Sequence, residues 1–309
     1  MSGRVIVLTG GVGGAKLVLG LSQIIPPEDI MAIVNTGDDF RHFGLCISPD
    51  IDTLLYTLSG KASREQGWGR EDESWSFMAA LRSLGGEDWF ALGDGDLALH
   101  VLRTQQLAAG RSLSAVTQDF ARSWGISATI LPMSDDPIST IVVTDAGELP
   151  FQRYFVEQRC APEVRALRFD GCAKATPAKG VLNAIGDPAT ATILIAPSNP
   201  YLSIDPILAV PGFREALAAA VAPVVAVSPV VGGAAVKGPT AKLMREFGIE
   251  VGPAAIAAHY EGLIDAILVD ERDRSAAPPL AHAFTNTLMT SLADRKRVAR
   301  AALDLAAAC

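Results

Sequence analysis

Short apolar runs rich in valine and isoleucine recur along this chain, and most of them lack the polar alternation of a half-exposed strand. Such runs are typical of parallel strands that helices cover on both faces. Segments of helical periodicity lie between them, at 15–25, 212–221 and 238–248. The alternation predicts an α/β fold with a doubly wound, Rossmann-like, mostly parallel sheet and helices on both faces. The predicted strand runs are "RVIVLTG", "IMAIVNTG", "ATILP", "TIVVTDA", "TILIAPSNP" and "APVVAVSPVV".

The region of about 53–125 departs from this pattern, because it has helical periodicity and hardly any strand signal. We predict that it is a helical insertion over the ligand edge of the sheet, within a single α/β domain spanning 1–309. Trp68 and Trp75 lie in this insertion. Tryptophans more often build a core, but a flat ring ligand would need an aromatic or apolar surface of this kind.

Composition and charge narrow the classes of protein that this chain can represent. Its 309 residues are 49% hydrophobic and 19% charged, as expected of a globular protein. A net charge of −8 argues against nonspecific binding to nucleic acid or to an anionic membrane. The four scattered cysteines show no C-x-x-C pair, and no apolar tract predicts a signal peptide or a membrane span. We therefore expect a soluble cytoplasmic protein.

A glycine cluster follows the first predicted strand directly and is followed by a helix-forming segment. Glycines let the backbone approach an anion closely, and the N-terminus of the next helix attracts negative charge. The alternative is a tight strand–helix turn that binds nothing. The cluster comprises Gly10, Gly11, Gly13 and Gly14, with Lys16 two residues later.

Neither common nucleotide-binding fingerprint fits this loop. A Walker loop needs four residues between its glycines and a hydroxyl after the lysine, but Gly10 and Gly14 are one residue too close and Leu17 follows the lysine. In the dinucleotide pattern a lysine occupies the position of the third glycine, and Asn35 replaces the acidic residue that would bind ribose. The loop is therefore predicted to bind phosphate in a nonstandard way.

Acidic clusters occur after several predicted strands, in "NTGDDF", "SPDID", "LGDGDLALH" and "LPMSDDPIST". Any one of them is more often a helix cap or a turn than a ligand set. Ligands of open α/β sheets, however, bind outside the carboxyl ends of the strands, where these clusters would converge. Carboxylates beside a phosphate loop repel the substrate unless a divalent cation lies between them, so we predict a Mg²⁺-bridged diphosphate.

The segment "APSNP" ends another strand and exposes two polar side chains, Ser198 and Asn199, before a proline. Both suit contacts with a phosphate or a base. A proline turn with an N-cap for the next helix explains the same residues equally well.

Several of these segments, in this order and over about residues 4–295, resemble the 2-phospho-L-lactate transferase family of deazaflavin coenzyme F420 biosynthesis. The combination is far more specific than any single motif. The segments are "TGGVGGAKL", "VNTGDD", "SPDIDTLLYTL", "GWG", "LGDGDLALH", "LPMSDDPIST", "APSNP", "AVSPVVGG", "GPTAKLM" and "VDERD".

The resemblance implies a transferase that moves a phospho-C3-acid moiety from a guanosine-diphosphate-activated donor to the ribityl hydroxyl of the deazaflavin FO, releasing GMP. The acid would be lactate, enolpyruvate or glycerate. Mg²⁺ would be the cofactor, and a homodimer is usual for the family. The alternative is a noncatalytic nucleotide-sugar-binding regulator of a related fold.

The resemblance also implies roles for individual residues. The four loop glycines and Lys16 would hold the guanylyl diphosphate, and Ser198 and Asn199 would face the guanosine. The candidates for magnesium ligands and FO contacts are Asp38, Asp39, Asp50 and Asp52. The predicted catalytic residues are Asp39, Asp50 and Asp52, of which Asp39 and Asp50 are the predicted magnesium ligands and Asp52 would touch FO. The predicted substrate-binding set comprises Gly10, Gly11, Gly13, Gly14, Lys16, Asn35, Asp52, Asp94, Ser198 and Asn199.

Two further features of "LGDGDLALH" bear on specificity. Family members commonly have arginine where this chain has Gly95, so the acid on the donor can differ here. His100 follows Asp96 by four residues, and we interpret these two as a helix-stabilising pair, because no third metal ligand accompanies them.

Overall fold

The fold is described from a computed structural model, which covers residues 3–63, 69–235 and 238–309. Trp68, predicted to lie in the insertion, falls outside these described residues. The strands, in chain order, are β1 Arg4–Thr9, β2 Ile30–Val34, β3 Phe40–His42, β4 Leu45–Ile47, β5 Thr129–Pro132, β6 Ser139–Thr144, β7 Gly147–Pro150, β8 Val164–Asp170, β9 Thr190–Ile195, β10 Val224–Val227, β11 Val230–Val231, β12 Ala234–Ala235, β13 Ala266–Asp270 and β14 Ala281–Thr285.

Helices connect most of these strands. Two π-helical turns span Arg153–Glu157 and Pro200–Ile204, and 3₁₀ turns span Pro27–Asp29, Cys172–Lys174 and Glu271–Ala276. The α-helices are α1 Gly11–Leu21, α2 Pro49–Leu58, α3 Ser76–Ser83, α4 Asp94–Ala108, α5 Leu113–Ser123, α6 Val181–Ile185, α7 Asp205–Ala209, α8 Phe213–Ala218, α9 Thr240–Glu246, α10 Pro253–His259 and α11 Leu292–Ala306. No helix in the described ranges is long and apolar enough to cross a membrane.

A seven-stranded sheet in the order β14-β13-β10-β9-β1-β2-β5 forms the centre, and every neighbouring pair is parallel. This confirms the predicted α/β fold. The chain builds outward from β1 through β2 to β5 and then returns to β9 on the other side of β1. The strand order therefore reverses between β1 and β9, and open α/β sheets bind ligands at such a point.

The central strands separate two hydrophobic cores. Val5 and Val7 of β1 point to the core beneath α1, α2, α5 and α11, whereas Ile6 and Leu8 point to the opposite core. Each of these four side chains is nearly or fully buried. Burial on both faces is the physical reason for the unbroken apolar pattern of these strands.

The run at 140–146, predicted as a strand of the main sheet, instead forms β6 of a separate antiparallel sheet in the order β7-β6-β8. This is a correction. Val142 is fully buried, but Ile141 and Val143 are only half-buried, because this sheet has one open face. An apolar residue on an open face looks the same in the sequence as one on a covered face.

The segment of about 53–125, predicted as a helical insertion, contains most of α2 and all of α3, α4 and α5. The short β3–β4 hairpin that precedes it was not predicted. Trp75 packs beside Ile47, Met78 and Leu92 in a small third core under this hairpin. The strand at 281–285 was also missed, because His282 and Thr285 interrupt its apolar pattern.

Candidate active site

A cavity of about 660 Å³ opens at the carboxyl ends of the central strands, where the strand order reverses. Gly10 and Gly11 follow β1 at its floor, and Ser198 follows β9 beside them. The first turn of α2 forms another wall, and residues 287–290, before α11, close the side next to Lys16. The sheet topology therefore brings together segments that are almost 280 residues apart in the sequence.

The glycine loop is shaped by close contacts with the end of β9. A Cβ on Gly13 would lie 2.7 Å from the carbonyl oxygen of Pro197, and one on Gly14 would overlap the hydroxyl of Thr9. Gly11 has a φ of +62° and has open space where a side chain would be. Helix α1 begins at this residue without an acidic side chain in its first turn, so its N-terminus attracts an anion in the cavity.

Four of the five residues predicted to bind the diphosphate line this cavity. They are Gly10, Gly11, Gly13 and Lys16, whereas Gly14 is buried behind them. The Lys16 ammonium group donates a hydrogen bond to the carbonyl of Met289 at 2.9 Å. This bond anchors the lysine side chain at the cavity wall.

Ser198 binds the loop across the strand boundary. Its hydroxyl donates to the carbonyl of Gly10 at 2.7 Å and accepts from the Gly10 N–H at 3.1 Å. Asn199 caps the π-helical turn, and its side-chain oxygen accepts from the N–H groups of Tyr201 and Leu202. The predicted N-cap is therefore confirmed, and both residues also line the cavity, as the binding prediction requires.

Asp50 connects the glycine loop to the end of β2. Its Oδ1 accepts from the Gly11 N–H at 2.8 Å, and its Oδ2 accepts from Asn35 Nδ2 at 3.0 Å. Asn35 is fully buried and also contacts Leu202 and Gly37, so it supports the site from beneath. Burial raises the pKa of Asp50 to about 6, against the opposing effect of these two hydrogen bonds.

Asp38 and Asp39 follow β2, and Asp38 is buried whereas Asp39 is half-buried. Burial raises the pKa of Asp38 well above its usual range, and the charge of Asp50 raises it further. Burial likewise raises the pKa of Asp39, although a hydrogen bond of 2.7 Å from Ser48 opposes this effect. The Oδ1 atom of each is buried without a hydrogen-bond partner among the described residues. Such carboxylate oxygens require a cation or a donor.

These oxygens allow a test of whether a magnesium ion fits the site. Within the described ranges, no group of three or more histidine, cysteine or acidic side chains is arranged to hold a metal. Mg²⁺ commonly takes only one or two carboxylates and completes its shell with water and substrate phosphate. Asp38 lines the cavity beside Asp50, so its unpartnered oxygen fits an ion that arrives with a diphosphate. Asp39, a predicted ligand, is not among the residues that line this cavity.

Asp52 lies in the first turn of α2, like Asp50, but its hydrogen-bond partner is different. Both of its oxygens are bound by the guanidinium of Arg103, one of them at 3.1 Å. Arg103 is fully buried on α4 and was missed in the sequence. A signal was available, because Asp96, His100 and Arg103 are spaced by four and three residues and so share one face of α4.

The predicted Asp96–His100 pair is confirmed, with 3.1 Å between Asp96 Oδ2 and His100 Nε2. The hydroxyl of Tyr56 on α2 donates a hydrogen bond to the carboxylate of Asp96. The four residues Asp52, Tyr56, Asp96 and His100 all line the cavity. The pair is therefore part of the site and is more than a helix-stabilising contact.

Asp94, predicted to bind substrate, is not among the residues that line the cavity. Its carboxylate accepts from the N–H groups of Ser76 and Phe77 and from the hydroxyl of Ser74, and so caps the start of α3. Next to it, a Cβ on Gly95 would overlap the guanidinium of Arg70. The space beside Gly95 is thus occupied by a guanidinium from another segment of this chain.

Aromatic and apolar side chains line the outer part of the cavity. Phe90 follows α3, Phe151 precedes a π-helical turn, and Phe155 lies within that turn. The rings of Phe151 and Phe155 are stacked at 5.2 Å, and Phe155 remains 39% exposed. Trp75, considered in the sequence as a surface for a flat ring, does not line the cavity.

Sequence comparisons relate nearly the whole chain to a family of transferases. A family model described as 2-phospho-L-lactate transferase CofD matches residues 5–306. A phosphoenolpyruvate transferase of Streptomyces griseus is 45% identical, and the match covers 98% of each chain. A 2-phospho-L-lactate transferase of Methanosarcina mazei is 41% identical, covering 95% of this chain and 97% of that protein.

Solved structures resemble the chain at the level of the fold. A member of the UPF0052 family from Bacillus halodurans has a TM-score of 0.64 at 18% identity, covering 98% of this chain and 99% of that chain. A likeness at this identity concerns the architecture and leaves the chemistry open.

Proposed function

Because the chain belongs to the 2-phospho-L-lactate transferase CofD family, we propose that it transfers a phospho-C3-acid moiety from a guanosine-diphosphate-activated donor to the ribityl hydroxyl of FO. The hydroxyl oxygen attacks the phosphorus next to the C3 acid, the bond from that phosphorus to the GMP oxygen breaks, and the hydroxyl proton passes to a carboxylate. The product is a phosphodiester of the kind needed for coenzyme F420. We further expect a homodimer, which light scattering of the purified protein would test.

One observation carries this proposal: an anion-attracting glycine loop and several buried carboxylates face the same cavity. A purely anionic substrate would be repelled by the carboxylates of Asp38 and Asp50. A substrate without phosphate would make no use of the N–H groups of the glycine loop. A diphosphate with a bound divalent cation satisfies both sets of groups. The N–H groups at the start of α1 and Lys16 would face phosphate oxygens, and the carboxylates would face the cation.

Magnesium, when bound with the donor, neutralises charge that develops on the phosphate oxygens during transfer. Asp38 supplies an oxygen that lacks a partner among the described residues, and Asp50 lies beside it. The sequence prediction selects Asp39 and Asp50 as ligands from the four candidates Asp38, Asp39, Asp50 and Asp52, and the unpartnered oxygen of Asp38 in the cavity lining supports Asp38 as well. Asp52 is a poorer candidate, because Arg103 already binds both of its oxygens.

The remaining residues orient the two substrates. Ser198 holds the glycine loop against the end of β9, and Asn199 holds the following turn, so both would position the guanylyl half of the donor. Phe90 and Phe155 would cover the flat ring of FO. Transfer of this type depends on positioning and charge neutralisation more than on covalent catalysis by the protein.

A noncatalytic nucleotide-sugar-binding regulator is the second candidate, and the shared fold does not exclude it. The regulator would need the glycine loop but not the buried carboxylates beside it. Those carboxylates are costly to bury, so their presence favours a function that uses them.

A turnover assay tests the proposal directly. Purified protein, FO and MgCl₂ are incubated with guanylyl donors that carry phospholactate, phosphoenolpyruvate or phosphoglycerate, and products are identified by mass. We expect one donor to give the FO phosphodiester together with GMP. If no donor yields product while guanine nucleotide still binds, the regulator is the better description.

A further inference from the structure

The segment "VDERD", at residues 269–273, ends β13 and begins the 3₁₀ turn that follows it. Neither of its aspartates is among the residues that line the cavity. Both are nonetheless buried, since Asp270 is 0% and Asp273 6% exposed. Burying a carboxylate is costly unless hydrogen-bond donors surround it. The donors around these two therefore show which parts of the molecule each carboxylate holds.

Asp270 connects the end of β13 to the segment 287–290, which closes the cavity next to Lys16. Its Oδ2 accepts from the Thr287 N–H at 2.7 Å and from the Thr287 hydroxyl at 3.0 Å. Its Oδ1 accepts from the N–H and the guanidinium of Arg272, at 3.0 and 2.9 Å. Burial opposes ionisation, but the hydrogen bonds from Arg272 and Thr287 hold the pKa of Asp270 below its usual range. Asp270 is therefore charged at neutral pH and binds Thr287 through two strong hydrogen bonds.

The same segment is also held from α11. The Arg297 guanidinium donates to the carbonyls of Asn286 and Leu288, at 3.1 and 3.3 Å. The next residue, Met289, is buried, and its carbonyl accepts a hydrogen bond of 2.9 Å from the Lys16 ammonium group. The acceptor of this ammonium group is thus fixed from β13 and from α11 together.

Asp273 holds a different segment of the cavity wall. Its two oxygens accept from the N–H groups of Gly232 and Gly233, at 2.8 and 2.7 Å. These glycines form the turn between β11 and β12, and Val231 just before them lines the cavity. Two carboxylates three residues apart therefore fix two wall segments, and the segment held by Asp270 is the one that binds Lys16.

We infer that Asp270 is a positioning residue for Lys16: by fixing Thr287 and the residues after it, Asp270 holds the Met289 carbonyl, and with it the lysine ammonium group, beside the glycine loop. This inference rests on the proposed function, in which Lys16 faces a phosphate oxygen of the donor. A lysine side chain has a flexible four-carbon stem, so its charge alone does not define its position. A fixed carbonyl acceptor restricts the side chain before the donor binds, and less ordering is then required on binding.

A double-mutant cycle tests whether Asp270 acts through Lys16. The probe is GDP with MgCl₂, and calorimetric titration of the full chain gives its Kd. Loss of a charged hydrogen bond in Lys16→Ala should raise this Kd by roughly 10- to 100-fold. Asp270→Asn removes the charge and replaces one acceptor oxygen by a donor. We expect it to raise the Kd by roughly 3- to 10-fold when Lys16 is present, and by less than about twofold in the Lys16→Ala background.

Asp273→Asn is the matched comparison, because it removes a buried carboxylate from the same short segment. Its effect on the Kd for GDP should be the same, within about twofold, with and without Lys16. Asp304→Asn removes one exposed charge from α11 and should leave the Kd unchanged. Should Asp270→Asn fail to fold, Arg297→Gln replaces it in the cycle, since it releases the same segment from α11.

The inference is overturned if Asp270→Asn, or Arg297→Gln in its place, changes the Kd equally in both backgrounds or in neither. An equal change would show a structural role that does not involve Lys16. Failure of the proposed function looks different, because the wild type would then bind GDP and show the same dependence on Lys16 but would transfer nothing in the turnover assay. A wild type that does not bind GDP would contradict both.

Discussion

At the scale of single residues, the glycine loop is explained by what a side chain would meet. Gly13 and Gly14 are needed because the carbonyl of Pro197, just after β9, and the hydroxyl of Thr9 approach too closely for a Cβ. Gly11 is needed for its backbone conformation, with a φ of +62°. These contacts explain why the glycine cluster matches neither common nucleotide-binding fingerprint. The spacing of its glycines follows from the close approach of neighbouring strand ends and not from a standard nucleotide-binding loop.

The first prediction concerns Gly13→Ala. The new methyl group would lie 2.7 Å from the Pro197 carbonyl, which is backbone and cannot rotate away. We expect a loss of about 1–3 kcal/mol in the free energy of unfolding, as for other overpacked sites, together with weaker binding of guanine nucleotide. Chemical denaturation and calorimetric titration measure the two effects. Gly186→Ala is the control, since its nearest neighbour would be 3.7 Å away, and an equal effect in both variants would contradict the explanation.

At the scale of elements, the N-terminus of α4 shows how two aspartates separated by one residue acquire different roles. Asp94 points to the start of α3 and Asp96 points to Tyr56 and His100 on the cavity side. Residues two apart on a helix face different directions, so the motif "GDGD" divides between a cap and a cavity wall. The sequence alone placed Asp94 in the substrate site, because the path of α3 was unknown.

The second prediction follows from this cap. Asp94→Ala leaves the N–H groups of Ser76 and Phe77 without their acceptor, so we expect the free energy of unfolding to fall by about 1 kcal/mol. Urea denaturation measures it, with Asp304→Ala as the control for loss of one exposed charge. A variant as stable as the wild type would argue against the capping role.

At the scale of the whole molecule, several acidic side chains are concentrated at one edge of the sheet, and this costs stability. Burial raises the pKa of Asp38 well above its usual range, and the charge of Asp50 adds to the shift. A carboxyl group whose folded pKa is raised favours folding most when it is protonated. Its contribution is therefore lost as pH rises from the unfolded value through the folded value.

The third prediction follows from this direction of the pH dependence of stability. Asp38→Asn should be more stable than the wild type near pH 8 in metal-free buffer, by on the order of 1 kcal/mol or more, because each unit of pKa shift corresponds to about 1.4 kcal/mol. The difference should shrink as pH falls and approach zero below about pH 3, where Asp38 is protonated in both the folded and the unfolded state. Thermal and urea denaturation across this pH range measure it, and a constant difference would contradict the assignment. Transfer activity should fall in the same variant.

The fourth prediction concerns ligand binding to the intact protein. Guanine nucleotide with Mg²⁺ should raise the midpoint of thermal unfolding more than either alone, because the cation offsets the repulsion between phosphate and the buried carboxylates. At a ligand concentration of about 100 times Kd, linkage gives roughly 2.7 kcal/mol of stabilisation. Equal midpoints with and without Mg²⁺ would show that the cation does not bridge nucleotide and protein.

Sequence and structure contributed differently to these conclusions. The parallel sheet was predictable, because strands covered on both faces leave an unbroken apolar pattern that does not depend on their partners. The strand at 140–146 was assigned to the wrong sheet, because its pattern does not reveal which sheet it joins. At the site, Ser198 was predictable because it is a polar residue just after a strand, and Asp50 because it is an acidic residue at the start of a helix. The spacing of Arg103 from Asp96 and His100 indicates a shared helix face, but its partner Asp52 was not predictable, because Asp52 lies 51 residues earlier on another helix.

The sequence by itself determined the α/β class, the anion-attracting loop after β1 and the supply of carboxylates, since each depends on residues that are neighbours along the chain. Only the tertiary structure decided which carboxylates face the cavity and how each is held. It separated Asp94 from Asp96 and bound Asp52 to Arg103, while Asp38 and Asp39 kept one oxygen each without a partner in the described part of the chain. The physical reason is that a carboxylate's role depends on its burial and its hydrogen-bond donors, and those donors come from distant segments that meet only when the sheet and its helices pack.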